Sequence, residues 1–266
     1  MKNMVFGKYI PIDSIIHRID PRAKLIGVFL LMVAVFVPKS WWAFLVIGLL
    51  IFLGLWLAKI GIKMVLQSFK PMLMMMVFLT LINALSIKTG DPLFNIGSFV
   101  VYSDAIFNTL FVVVRLLMMI AITTMLTATT KPLDLTLGIE WILKPLNRFH
   151  FPSHEIAMMV SIALRFIPTI IEETMRIMNA QKSRGVDFEN GKLAEKVKAI
   201  LSLIVPLFSV AFERAYELAD AMEARGYIPG AERTRYHVLH FRFSDFVFMI
   251  ICTLILAFSI TTRFVL

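Results

Sequence analysis

From Trp41 to Ala58 the chain reads WWAFLVIGLLIFLGLWLA, with no charged side chain and no polar atom beyond the indole nitrogens. In hydrocarbon such a run must satisfy every backbone N–H and C=O internally, which a helix does and an irregular segment cannot. Similar runs occupy Leu25–Val37, about Pro71 to Ile87, Ala105 to about Thr127, and Phe246–Phe264. A bilayer-crossing helix takes about 20 apolar residues, roughly 17–25 being usual. Hydrophobic residues make up 59% of the 266 and charged residues only 17%, an apolar excess that a soluble core of this length does not need. The expected fold class is therefore all-α, a polytopic membrane protein with about five transmembrane helices.

The first run is short, so Arg22 and Lys24 are expected to snorkel to complete it. Its start is well marked, because Asp20 can cap and Pro21 suits the first helical position. Pro38-Lys39-Ser40 breaks the run, and Trp41 and Trp42 open the next at an interface depth tryptophan favours. No cleavable signal peptide is expected, since Asp13 and Asp20 precede the first long apolar run.

The net charge of +9 would suggest nucleic acid in a soluble domain, but here the cations gather at the ends of apolar runs. The N-terminal 24 residues carry five Lys/Arg, and the 59–70 loop carries three without an acid. The 38–40 turn has one, and the 88–104 loop has one against two acids. Positive loops stay in the cytoplasm, which puts the N-terminus inside, the C-terminus outside and residues 131–242 inside. The expected organisation is a four-helix membrane domain over 1–130, a cytoplasmic region over 131–242, and a fifth spanning helix in 243–266. A small hairpin within 88–104 is the one place where β structure has any claim.

The cytoplasmic region holds 15 Lys/Arg and 13 Asp/Glu, too much charge to cross a bilayer. Even so, Ile156, Met159, Val160, Ala163, Leu164, Ile167 and Ile171 recur at helical spacing, as do Val197, Ile200, Leu201, Ile204, Phe208, Ala211 and Phe212. Two long amphipathic helices follow, each bent or interrupted by a proline, Pro168 or Pro206, with a shorter helix over Pro132–Phe149. Each long helix ends alike, in Ala180-Gln181-Lys182-Ser183-Arg184-Gly185 and in Ala221-Met222-Glu223-Ala224-Arg225-Gly226, the arginines 41 positions apart. Glycine there suits a left-handed cap, and arginine suits the negative end of the helix dipole. The repetition, with small neighbours that leave each arginine standing clear, also suits two plugs for two similar sockets.

Together with Asp20-Pro21-Arg22-Ala23-Lys24-Leu25 and Leu164-Arg165-Phe166-Ile167-Pro168, these endings give the chain a specific resemblance. In their order and in the five-span topology it resembles the transmembrane T component of energy-coupling factor (ECF) transporters, the EcfT/CbiQ-like family. The resemblance implies a non-catalytic subunit of an ATP-driven importer. Its two Arg-Gly motifs would each dock one of two ABC-type ATPases, with Arg184 and Arg225 as docking arginines framed by Ser183, Gly185, Ala224 and Gly226. Ser183 stands where the second motif has Ala224, which leaves room for different sockets. The resemblance further implies that the long helices cradle a membrane-embedded S component, which binds a vitamin or other micronutrient. Several interchangeable S components would suit the 17 methionines, whose unbranched side chains adapt to varied surfaces, although methionine also simply fills membrane cores.

Other candidate sites are weaker. Residues 185–193 imitate a nucleotide-binding loop but have five spacers and no Ser/Thr after Lys192. No cofactor is expected in the chain itself; ATP and magnesium belong to the partner ATPases. His150 and His154 are separated by Pro152, which argues against a helical ligand face, and His237 and His240 read as solvated or interfacial. Cys252 is the only cysteine. Arg115, near the middle of the fourth run, would cost roughly 2.5–3.5 kcal/mol to insert. It reads as a tie to Asn83, Asn108 or a backbone carbonyl, or else as part of a substrate pathway. The function expected is a scaffold that transmits ATP-driven motion; the rivals are a conventional permease with its own substrate path and a static membrane adaptor.

Overall fold

The computed structural model describes residues 9–38, 40–86, 89, 91–96, 99–149, 152–188, 190, 192–230 and 239–265. The described chain is helical apart from one antiparallel hairpin, and it divides into two compact units, residues 1–142 with 239–266 and residues 143–238.

In the first unit, α1 (Pro21–Phe36) starts as its sequence directs. The Asp20 side chain accepts a hydrogen bond from the Arg22 N–H at 2.9 Å, and Pro21, which has no N–H to leave unpaired, takes the first turn. The following helix, α2 (Trp41–Leu57), has 17 residues to the 16 of α1. At 1.5 Å per residue they measure about 24 and about 26 Å, so α2 lies at the short end of the usual range for a spanning helix and α1 just below it. Lys24 does not snorkel. It is only 3% exposed, and its Nζ donates to the carbonyls of His17 (3.3 Å) and Thr129 (3.0 Å) and to Thr130 Oγ1 (3.3 Å). The carbonyl end of a neighbouring helix supplies the acceptors that water was expected to supply.

The third run also begins earlier than its sequence suggests. Residues 62–69 are not loop but α3 (Ile62–Phe69), which passes through a 3₁₀ turn at Lys70–Met72 into α4 (Leu73–Ser86). Pro71 sits inside that turn, where its missing N–H costs little, so the helix tightens instead of stopping. Strands β1 (Pro92–Ile96) and β2 (Phe99–Tyr102) form the hairpin, and α5 (Ser103–Thr129) and α6 (Pro132–Leu143) follow. The last helix, α9 in chain order (Phe243–Val265), packs closely along α1. A Cβ on Gly27 would come within 3.0 Å of the Phe248 ring and 3.2 Å of Cys252 Sγ, so a glycine is what lets these two helices approach. Around them Val28, Leu31, Val35, Phe44, Ile47, Ile122 and Met125 make one apolar core.

Arg115 takes the structural role. Its guanidinium donates to the Pro38 carbonyl at 3.2 Å and lies 5.7 Å from the ring centres of both Phe36 and Phe44. Asn83 bonds Thr109 Oγ1 instead, at 3.2 Å.

The second unit is built on α7 (Ser153–Ser183) and α8 (Leu193–Ala224), which pack against each other and are preceded by a 3₁₀ turn at Lys144–Phe149. Pro168 and Pro206 lie inside these helices without interrupting them. Among the described residues four helical stretches are long and apolar enough to cross a membrane: Ile62–Asn83, Ser103–Thr129, Ser153–Ser183 and Phe243–Phe264. Ser153–Ser183 falls in the charged region of the sequence.

Candidate functional site

The two Arg-Gly endings fold identically. At the end of α7 the N–H of Gly185 donates to the Lys182 carbonyl at 3.0 Å, and that of Val186 donates to Gln181 at 3.0 Å. At the end of α8 Gly226 donates to Glu223 at 2.8 Å, and Tyr227 to Met222 at 2.9 Å. Both are Schellman caps, in which a left-handed residue returns two N–H groups to the last turn. Gly185 has φ +86° and Gly226 φ +73°, and open space surrounds the position of each missing Cβ. The glycines are there for backbone conformation, not for close packing.

The cap fixes what precedes it. Arg184 and Arg225 hold nearly the same conformation, φ −85° with ψ 6° and φ −90° with ψ 9°. Both arginines are exposed, as are Ser183, Gly185, Ala224 and Gly226. Neither guanidinium belongs to an ion pair among the described residues. Ser183 spends its hydroxyl on the Asn179 carbonyl at 3.1 Å, so it behaves as a small helix residue much as Ala224 does. Measured from Pro168 and Pro206, the arginines lie about 24 and 28 Å along their helices.

An apolar surface adjoins these endings in sequence. On α8 Val197, Ile200, Leu201, Val205, Phe208 and Phe212 are all exposed, with Phe208 and Phe212 stacked at 6.3 Å.

The remaining candidates find structural uses or fall outside the described residues. Lys192 opens α8, its N–H donating to Glu195 Oε2 at 3.0 Å, and Gly185 is a cap, while Glu189 and Gly191 of the same loop lie outside the described residues. His150, His237 and Lys39 lie outside them too. His154 stands in the first turn of α7, and His240 is exposed. Among the described residues no group of three or more His, Cys, Asp or Glu is placed to hold a metal ion.

Sequence reasoning missed Asp245. This carboxylate is fully buried, and it accepts the N–H of Asp20 at 2.9 Å and that of Arg242 at 2.6 Å. The available signal was an acid just before an apolar run, the place for a helix-starting acceptor. It also missed Lys59, which ends α2 in the left-handed region at φ 55°, where glycine would be expected.

The family described as CbiQ, cobalt transport protein, matches residues 13–236. Among curated proteins, the chain is 44% identical over 239 residues to the energy-coupling factor transporter transmembrane protein EcfT of Bacillus subtilis (strain 168), covering 90% of each chain. It is 40% identical over 260 residues to the EcfT of Streptococcus equi subsp. equi (strain 4047), covering 96% of this chain and 95% of that one. It is 36% identical over 263 residues, 99% of each, to EcfT 1 of Listeria monocytogenes serotype 1/2a (strain 08-5578). With matches that run nearly end to end and take in both Arg-Gly caps, this multi-pass membrane protein belongs to the CbiQ/EcfT family.

Proposed function

We propose that the chain is the transmembrane coupling subunit of an energy-coupling factor importer, carrying ATP-driven motion from two ABC-type ATPases to a membrane-embedded S component that binds a vitamin or other micronutrient. The observation that carries this reading is the pair of matched caps, which hold Arg184 and Arg225 in one conformation, exposed, at the ends of two long helices. Two like prongs suit two like sockets, and a guanidinium suits a socket lined with carboxylates or carbonyls.

In this mechanism each arginine seats in one ATPase. Nucleotide binding and hydrolysis change the spacing of the two sockets, α7 and α8 follow, and the exposed apolar residues of α8 move the S component resting on them. ATP and magnesium act in the ATPases, and this subunit catalyses no reaction. Residues 131–242 and the N-terminus lie in the cytoplasm, with the C-terminus outside, as the lysine and arginine distribution favours.

The test is purification of the tagged chain in mild detergent, with its companions identified by mass spectrometry and the assembly then reconstituted for ATP-dependent uptake. The reading expects two ATPases and at least one small membrane protein, and no substrate retained by the isolated chain. Substrate binding by the isolated chain would favour a permease with its own path.

A further inference from the structure

Within the first unit α1, α2 and α9 enclose a slot of about 320 Å³, far more than the ~10–15 Å³ that admits a water. Leu31, Ile51, Gly54, Phe248, Cys252 and Ile255 are among its walls, which are almost wholly apolar and offer water few partners. A hydrocarbon chain, wholly apolar, suits walls of this kind.

One end of the slot meets a second hollow of about 610 Å³, since Ile15 and Leu57 line both. The rim of this hollow differs from the slot in kind: it carries Arg18, Lys59, Asp13 and Trp56. Asp13 pairs with Arg18 through contacts of 3.1 and 3.3 Å. Lys59 is in no ion pair among the described residues, so the rim keeps one net positive charge. Trp56 is 70% exposed, at the end of a membrane helix where indole favours the interface.

The backbone at Lys59 points the same way. Its N–H donates to the Trp56 carbonyl at 3.0 Å, and that of Ile60 to Leu55 at 3.1 Å, which is the arrangement that ends α7 and α8. Those two caps use glycine; this one holds a lysine at φ 55°. A lysine in this conformation is uncommon, and the cap fixes the place on the rim from which its side chain starts.

We propose that slot and rim together bind one anionic phospholipid, an acyl chain lying among the apolar walls and the phosphate-bearing headgroup against Lys59, with Arg18 beside it. The charge selects the headgroup and the slot supplies the hold.

The purified full chain tests this by native mass spectrometry in mixed micelles that offer dioleoylphosphatidylglycerol and dioleoylphosphatidylcholine in equal amounts. The unchanged chain should retain the anionic lipid preferentially. Lys59→Asn, which removes the charge while keeping a residue tolerant of the left-handed region, should weaken that preference about fivefold, the effect of one cation at a membrane surface. Asp13→Asn should strengthen it, and a rise of this kind cannot come from misfolding. Leu53→Trp, from the slot wall, should lower retention of both lipids alike. Equal retention of the two lipids by the unchanged chain, or an unaltered preference in Lys59→Asn, would overturn the proposal.

Discussion

Asp245 on α9 accepts a hydrogen bond from the backbone N–H of Asp20 at 2.9 Å, joining residues 225 positions apart at the point where α1 begins. Its other oxygen holds the Arg242 N–H at the start of α9. One buried carboxylate thus sets the starting points of two helices that pack along each other.

Asp245→Ala should therefore destabilise the membrane unit markedly. It leaves the buried Asp20 N–H unpaired, at a cost of about 1–3 kcal/mol, and removes the acceptor of the less buried Arg242 N–H as well. Thermal unfolding of the detergent-solubilised protein measures this. Asp245→Asn, which retains acceptor capacity, should lie between wild type and Ala. An unfolding temperature unchanged in Asp245→Ala would contradict the role given to this residue.

Gly27→Val should loosen α1 from α9. The added atoms meet the Phe248 ring and Cys252 Sγ, and overpacking of this kind costs about 1–3 kcal/mol. Labelling of Cys252, which is buried, by a thiol reagent reports it: labelling should accelerate in Gly27→Val and stay slow in the unchanged chain.

Gly185→Ala and Gly226→Ala test the caps separately from the arginines. A residue with a Cβ at φ +86° or +73° costs roughly 1–2 kcal/mol even in open space. Each substitution should thus lower stability modestly and weaken ATPase capture through misdirection of the arginine. Arg184→Ala and Arg225→Ala should weaken capture with stability unchanged. Hydrogen exchange over residues 180–187 and 221–228 distinguishes the two cases.

The N-terminal segment should respond to pH through His17. Its Nε2–H donates to the Ile10 carbonyl at 3.0 Å, and its Nδ1 faces Ser14 Oγ at 2.7 Å. Burial holds the imidazole below its ordinary value, with nearby Lys24 acting in the same direction against the Ile10 carbonyl and Asp13. Because the folded value is depressed, the stabilisation is complete above the unfolded value of about 6.5 and is lost as pH falls through it toward the lower folded value. Unfolding temperature should thus drop as pH falls from about 7.5 through about 6.5, and His17→Gln should remove that part of the drop. The neighbouring Asp13, held below the usual carboxylate range by Arg18, stays ionised across this window.

Much of this architecture is legible in the sequence because the forces behind it are local. Asp20-Pro21 marks a helix start whatever surrounds it, and Arg-Gly at the end of a periodic run specifies a left-handed cap through glycine alone. What the sequence does not disclose depends on distant chain. Lys24 turns inward because the end of α5 offers it carbonyls, and Asp245 matters because α1 begins beside it. Pro71 would stop a helix in isolation, yet α3 and α4 run through it by way of a 3₁₀ turn. Lys59 in a left-handed cap breaks the usual preference, so pattern reasoning passes over it. The arginines of the candidate site are visible early for the opposite reason, since nothing else in the described chain engages them.

The most direct measurement is ATPase capture by the full chain carrying both Arg184→Ala and Arg225→Ala. Truncating an arginine at the centre of an interface costs about 2 kcal/mol or more, roughly 30-fold in affinity for each socket. The double variant should insert in the membrane and melt like the unchanged chain but lose both ATPases on purification. Co-purification of both ATPases at the unchanged level would contradict the account.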